Sequence, residues 1–235
     1  MTNNKHPTIK KKIYIILPSY NEEKTLEEVV EELVLRGFNI LIIDDGSSDN
    51  TSVIGQKLKN KYKNVVFYYR HMINIGLGGA IKTGIKAGLE KGADILITFD
   101  ADGQHNPDDL YNIYPPLQDD EADVVIGARN FQDMPTSRRY GNSLMNFVTF
   151  IFQGHSVKDS QSGLRGFNRY AAESLNINSP QYGVSSEIIG EIKRKNFRFK
   201  EVPMTTIYDE HTIQKGTNTM VGIKIVIEFL NNMFR

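Results

Sequence analysis

Residues 95–104 read Ile95-Leu96-Ile97-Thr98-Phe99-Asp100-Ala101-Asp102-Gly103-Gln104, an unbroken apolar and β-branched run that gives way at once to two aspartates. A run this short and continuous predicts a strand buried on both faces. Side chains alternate along extended backbone, so Asp100 and Asp102 project to the same side of the turn that follows. Two close carboxylates repel, and a divalent cation such as Mg²⁺ or Mn²⁺ removes that cost while bridging to diphosphate oxygens. Gln104 adds a neutral oxygen. Asp-x-Asp-Gly is also ordinary turn chemistry ahead of Pro107. What favours a ligand site is its place after a buried strand, beside two other polar strand ends.

Strand-then-helix alternation surrounds this segment. Ile13 to Leu17 precedes an apolar-periodic stretch from Glu22 to Leu35, and Ile40 to Ile43 precedes a helix from about Asn50. Val65 to Tyr69 precedes Gly78 to Lys91, the run ending at Phe99 precedes a helix near Pro107, and Val124 to Ile126 adds a fifth strand. The pattern predicts an α/β fold with a mostly parallel central sheet covered on both faces, its ligands gathered at the carboxyl ends of strands. Three of those ends are polar: Pro18-Ser19-Tyr20-Asn21-Glu22, Asp44-Asp45-Gly46-Ser47, and Asp100 to Gln104. A carboxylate at Asp45 can accept from a uracil or guanine ring N–H or from a ribose hydroxyl. Asn74 to Ala80 is glycine-rich, but Ile81 breaks dinucleotide spacing, and close helix packing with Gly84 and Gly88 explains it at least as well. Arg129, Arg138 and Arg139 follow the fifth strand, and guanidinium forks suit phosphate.

The 235 residues balance 28 Lys and Arg against 28 Asp and Glu, so no overall field favours nucleic acid, and the absence of cysteine excludes disulfides and thiolate chemistry. With no secretory signal and no run of about 18 apolar residues, the expectation is a cytoplasmic chain that does not span a membrane. Residues 1–12 read as a polar tail, 13–216 as one domain and 217–235 as a C-terminal amphipathic helix. That helix places Ile223, Val226, Ile227, Leu230 and Phe234 on one arc, suited to core packing, a homodimer or the cytoplasmic face of a membrane. Asn142 to Phe152 is a further apolar helix candidate, and the periodicity predicts a helix over Ser185 to Arg194, with Glu191 expected on its solvated face.

Together, Leu17 to Glu23, Asp44 to Asp49, Asn74 to Ala80, Asp100 to Gln104 and Gly127-Ala128-Arg129 make the chain resemble glycosyltransferase family 2. Arg138-Arg139, Asp159 to Phe167, Glu201-Val202-Pro203 and Thr205 to Tyr208 make it similar to the dolichol-phosphate mannose synthase-like branch. The resemblance implies a single Rossmann-like GT-A domain, with a donor half over about 13–130 and an acceptor half over about 131–216. It implies inverting transfer from a GDP- or UDP-sugar to a dolichyl or undecaprenyl phosphate. Pro18, Tyr20, Glu22, Ile43 and Asp45 would surround the nucleoside, Asp100, Ala101, Asp102 and Arg129 the rest of the donor, and Asp102 with Gln104 the metal. Arg138, Arg139, Asp159, Ser162, Arg165 and Lys215 would form the acceptor side, with Asp102, Arg129 and Arg138 closest to the chemistry. Branch members often carry Arg and then Ser-Lys after the last strands, where this chain has Asp209 to Lys215 and only the lysine. A separate membrane protein as anchor fits the same reading.

The alternatives are a family 2 enzyme extending a saccharide, for which Glu187 is a candidate base, and a nucleotide-sugar binding module without catalysis. A phosphate monoester is largely ionised at neutral pH, its second pKa being about 6, and needs clamping rather than deprotonation. In a transfer assay Asp159→Asn is therefore expected to keep more activity than Asp102→Asn; equal loss would contradict that ranking.

Overall fold

Ile13, Ile15 and Leu17 face one layer of helices from the first strand, Tyr14 and Ile16 face the other, and all five are buried. The computed structural model describes residues 11–130, 157–179, 183–205 and 207, together with 139, 142, 143, 145, 146 and 150. Strands β1 (Ile13–Ser19), β2 (Asn39–Asp44), β3 (Val66–Arg70), β4 (Ile95–Thr98) and β5 (Val124–Arg129) occupy the five predicted runs. Between them lie α1 (Leu26–Leu35), α2 (Thr51–Lys61), α3 (Leu77–Glu90) and α4 (Leu110–Gln118).

The sheet has seven strands in the order β3-β2-β1-β4-β6-β5-β7. The two that periodicity does not supply are β6 (Arg165–Asn168) and β7 (Phe199–Met204). β6 is short and contains Gly166, where a Cβ would meet Leu117 at 2.5 Å and Ile113 at 2.8 Å, so α4 approaches the strand too closely for any side chain. β7 is an edge strand that mixes polar residues with Pro203, a composition an edge tolerates and a central strand does not. β6 runs antiparallel to both β4 and β5, whereas β1 to β4 are mutually parallel and β5 is parallel to β7. The start of β6 consequently lies at the same sheet edge as the carboxyl ends of the parallel strands. That edge receives the loops after β1 to β5 and the segment before β6.

Two helical starts differ from the periodicity. α1 begins at Leu26, because 22–25 forms a turn in which the Leu26 amide donates to the Glu22 carbonyl at 3.0 Å. Near Pro107 a 3-10 turn (Pro107–Asp109) leads into α4, with the Asn106 side chain accepting from the Asp108 amide at 3.0 Å. Short helix α5 (Arg169–Ser174) follows β6, and α6 (Val184–Arg194) covers the predicted Ser185 to Arg194 helix. Within the Asn142 to Phe152 candidate, residues 142, 143, 145, 146 and 150 are helical. Arg138, Lys215, the N-terminal tail to residue 10 and the C-terminal helix candidate lie outside the described residues. Among the described residues no helix is long and apolar enough to cross a membrane.

Helix α3 meets the sheet through its glycines. A Cβ at Gly84 would stand 2.2 Å from Ile16 Cγ2, and one at Gly88 would stand 2.3 Å from Leu96 Cδ2. Such a helix cannot accept even a methyl group on that face without moving. Gly84→Ala is expected to cost about 1–3 kcal/mol, read as a lower urea midpoint. Lys86→Ala, on the solvent side of the same helix, is expected to stay within about 0.5 kcal/mol. Equal midpoints would contradict the tight contact.

Candidate functional site

The loops after β1 and β2 are stitched together by side chains that the turn residues supply. Ser47 Oγ accepts from the Asn21 amide at 3.0 Å, Asn21 Oδ1 accepts from the Ser48 amide at 2.9 Å, and Thr51 Oγ1 accepts from the Glu22 amide at 2.8 Å. Asn21 holds a left-handed conformation, φ 57°, one of the few that asparagine tolerates. This leaves Tyr20 exposed and Pro18 half-buried above a buried Ile43. Asp44 is fully buried and accepts from Tyr68 Oη at 2.6 Å and the Ser47 amide at 2.8 Å.

Asp45 is also buried, and its carboxylate is largely committed. Oδ1 receives the Ile75 amide at 3.0 Å and His71 Nδ1 at 2.7 Å, while Oδ2 receives the Gly76 amide at 2.8 Å. Gly76 is the N-cap of α3 with φ 89°, so Asp45 occupies the helix N-terminus where a phosphate contact was conceivable. The glycine-rich segment thus serves packing and Asp45.

The acidic turn is asymmetric. Asp100 Oδ2 accepts from His105 Nε2 at 2.9 Å, and His105 is buried edge-on to Phe99. Gly163 makes room for this carboxylate, since a Cβ there would lie 2.1 Å from Asp100 Oδ2, and Thr98 Oγ1 fixes the Gly163 carbonyl at 2.7 Å. Enclosure alone would raise Asp100, but the charges of His105, Arg165 and Arg129 outweigh it and hold the carboxyl below the ordinary range. Asp102 moves the other way, raised by burial and then by the neighbouring Asp100 charge. It accepts from the backbone and side-chain amides of Gln104, at 3.0 and 2.7 Å. Thr25 ties the turn to the β1 loop, donating to Ala101 O at 2.7 Å and Glu22 Oε2 at 3.0 Å. The residues here fit a hard divalent cation: Asp102 and Gln104 offer oxygen donors, and among the described residues Asp102 has no cationic hydrogen-bond partner.

Arg129 reaches this region from the end of β5. Asp159, with no exposed side-chain surface, grips it in a bidentate pair, Oδ2 to Nε at 2.5 Å and Oδ1 to Nη2 at 2.8 Å. Arg165 is buried at the head of β6, donating from Nη2 to the Ser160 carbonyl at 3.1 Å, with its pKa pushed down to about 10 by burial against the pull of Asp100 and Asp159. Ser162 is fully buried and contacts Met204 Sδ at 3.3 Å. Arg139 is exposed on a helical residue. Asp159, Ser162 and Arg165 are thus buried, and Arg129 is partly exposed above its pair with Asp159.

The two glutamates of α6 are structural. Glu187 accepts from the Asn178 and Ser179 amides at 2.9 and 2.8 Å, one on each oxygen. Glu191, expected on a solvated face, is 2% exposed, pairs with Arg194 and accepts from the Asn176 amide at 3.0 Å. Their i, i+4 spacing clasps the 176–179 segment instead of facing water. Sequence reasoning passed over His71 and His105, lone histidines in no motif; the signal available was position, His71 just past β3 and His105 directly after Gln104.

His105 is raised above its ordinary 6.5: burial lowers it, and Asp100 more than compensates. A raised imidazole stabilises the fold fully below its unfolded value and loses that contribution as pH rises through the folded value; the depressed Asp100 contributes above its ordinary 3.8. In metal-free protein the stability advantage of the wild type over His105→Gln is therefore expected, in urea titrations, to be largest between these values and to shrink as pH rises through the folded His105 value. A gap independent of pH would contradict the pairing.

Comparison with known proteins places this geometry. The sequence profile described as Glycosyl transferase family 2 matches residues 14–175. A UDP-N-acetylglucosamine–dolichyl-phosphate N-acetylglucosaminyltransferase of Methanococcus voltae is 41% identical over 94% of this chain and 95% of its own length. An undecaprenyl-phosphate mannosyltransferase of Micrococcus luteus is 28% identical over 92% and 91%. Among solved structures, glucosyl-3-phosphoglycerate synthase of Mycobacterium tuberculosis, in complex with Mn²⁺, UDP and phosphoglyceric acid, shares the fold with a TM-score of 0.69 at 17% identity, covering 94% of this chain and 78% of that one. The matched span contains the strands that carry the Asp45, Asp102 and Arg129 loops, and the chain belongs to glycosyl transferase family 2.

Proposed function

We propose that the protein transfers a sugar from a nucleotide-diphospho-sugar to a polyprenyl phosphate, with inversion and with Mg²⁺ or Mn²⁺ as cofactor. The observation that carries the acceptor is the Arg129–Asp159 pair. A guanidinium locked by a fully buried carboxylate at the rim of the acidic turn is a fixed phosphate ligand. Glu187, the candidate base for a hydroxyl acceptor, has both oxygens occupied by backbone amides. The relatives named for dolichyl and undecaprenyl phosphate acceptors support the same choice, and the 41% identical relative makes UDP-N-acetylglucosamine the first donor to test.

In this reading Pro18, Tyr20 and Asp45 border the nucleoside, while Asp102 and Gln104 would hold the ion. Among the described residues no group of three acidic or histidine side chains encloses a cation by itself. The bound ion supplies charge stabilisation to the departing diphosphate. Arg129 orients the acceptor phosphate so that one of its oxygens bonds to the anomeric carbon as the carbon–oxygen bond to the nucleoside diphosphate breaks, the electron pair leaving with the diphosphate. Asp159 acts through Arg129, and Arg138, Arg139 and Lys215 complete the acceptor side. The donor half, about 13–130, and the acceptor half, about 131–216, make one domain, peripheral on the cytoplasmic face of a membrane.

The test is transfer of labelled sugar from UDP-N-acetylglucosamine, other UDP-sugars and GDP-mannose to dolichyl and undecaprenyl phosphate. Metal-dependent glycolipid, reduced at least about 100-fold in Asp102→Ala, is expected. Arg129→Lys should not restore what Arg129→Ala loses, because an ammonium cannot reproduce the two-point contact with Asp159. Consumption of donor only with a saccharide acceptor would overturn the lipid phosphate and leave the family; full rescue by lysine would overturn the clamp.

A further inference from the structure

A chain of side chains runs from α3 to the β2 loop: Thr83 Oγ1 lies 2.9 Å from His71 Nε2, and His71 Nδ1 lies 2.7 Å from Asp45 Oδ1. A carboxylate only accepts, so Nδ1 carries the hydrogen and the imidazole orientation is fixed at both ends. Oδ1 then holds two donors, His71 and the Ile75 amide, and Oδ2 holds one, the Gly76 amide. A carboxylate offers about four acceptor positions, so against the donors of the described residues one remains, on Oδ2. Gly46, with φ 73°, lets the 73–74 backbone lie across the loop: a Cβ there would be 2.7 Å from Ile73 C and 2.8 Å from Asn74 N. With both flanks committed, the Asp45 carboxylate cannot rotate to aim that last position elsewhere.

We propose that His71 is a positioning residue for donor selection: by saturating Asp45 Oδ1 it reserves the open Oδ2 position for a ring N–H of the donor base. The inference rests on the reading above that Asp45 borders the nucleoside. It predicts discrimination by hydrogen-bond polarity, favouring uracil or guanine, whose ring nitrogen carries hydrogen, over cytosine or adenine, whose equivalent nitrogen is an acceptor.

The experiment is calorimetric binding of UDP, CDP, GDP and ADP, with Mn²⁺, to the wild type, His71→Leu, His71→Asn and Thr83→Val. The wild type is expected to prefer UDP over CDP or GDP over ADP. His71→Leu should compress that ratio by about tenfold, the scale of one hydrogen bond to a charged group. His71→Asn, whose amide can still donate to Asp45, should restore most of it. In turnover the loss should appear in KM for the donor, with kcat within about twofold. A folded His71→Leu with an unchanged base ratio overturns the proposal. If that variant does not fold, Thr83→Val decides, an unchanged ratio again overturning it. Failure of the wild type to bind any of the four nucleotides sinks the functional reading as well, whereas wild-type discrimination that survives every variant sinks only the role of His71.

Discussion

Negative charge is crowded at one edge of the sheet, and the rest of the site is organised by how each carboxylate there is compensated. Asp44 and Asp45 are taken out of water and held by hydroxyl, amide and imidazole donors. Asp159 is held by Arg129, and Asp100 by His105 with Arg165 beneath. Leaving such groups buried and unpaired would cost several kcal/mol each. Among the described residues Asp102 is compensated least, its carboxylate meeting only the amides of Gln104, and burial followed by the neighbouring Asp100 charge raises its pKa.

Topology makes this crowding unavoidable. Five parallel strands, β1 to β5, deliver their loops to one edge, with β1 between β2 and β4 at the point where the strand order changes direction. Antiparallel β6 begins at that edge, which puts Gly163 and Arg165 under Asp100 and lets Asp159 reach Arg129 on the adjacent β5. Of the cations that balance the acidic turn, Arg165 thus comes from the part of the chain where the strand–helix alternation is weakest, whereas His105 and Arg129 come from the regular half. In the proposed reaction the same arrangement brings a metal-bound diphosphate and an acceptor phosphate to neighbouring positions.

Much of this was legible in the sequence because it depends on local rules. Unbroken apolar runs gave β1, β2, β4 and β5, and the acidic loops followed from where those runs stop. What was not legible depends on distant contacts. β6 needs Gly166 against α4, a packing demand with no local pattern. Glu191 looks solvated by periodicity and is buried because it clasps a loop fifteen positions earlier in the chain. Asp159 and Ser162, read by resemblance as acceptor contacts, are fully buried, Asp159 paired with Arg129 and Ser162 against Met204. Sequence spacing located the charged residues; it could not say which of them neutralise one another and which face a ligand.

The uncompensated charge at Asp102 is most directly tested by Mn²⁺ binding, followed by electron paramagnetic resonance with and without UDP or GDP. The account predicts weak uptake by the protein alone, strong uptake with the nucleoside diphosphate, and loss of that enhancement in Asp102→Asn while Asp100 keeps its pairing with His105. Equal Mn²⁺ uptake in the wild type and Asp102→Asn, with nucleotide bound, would contradict it.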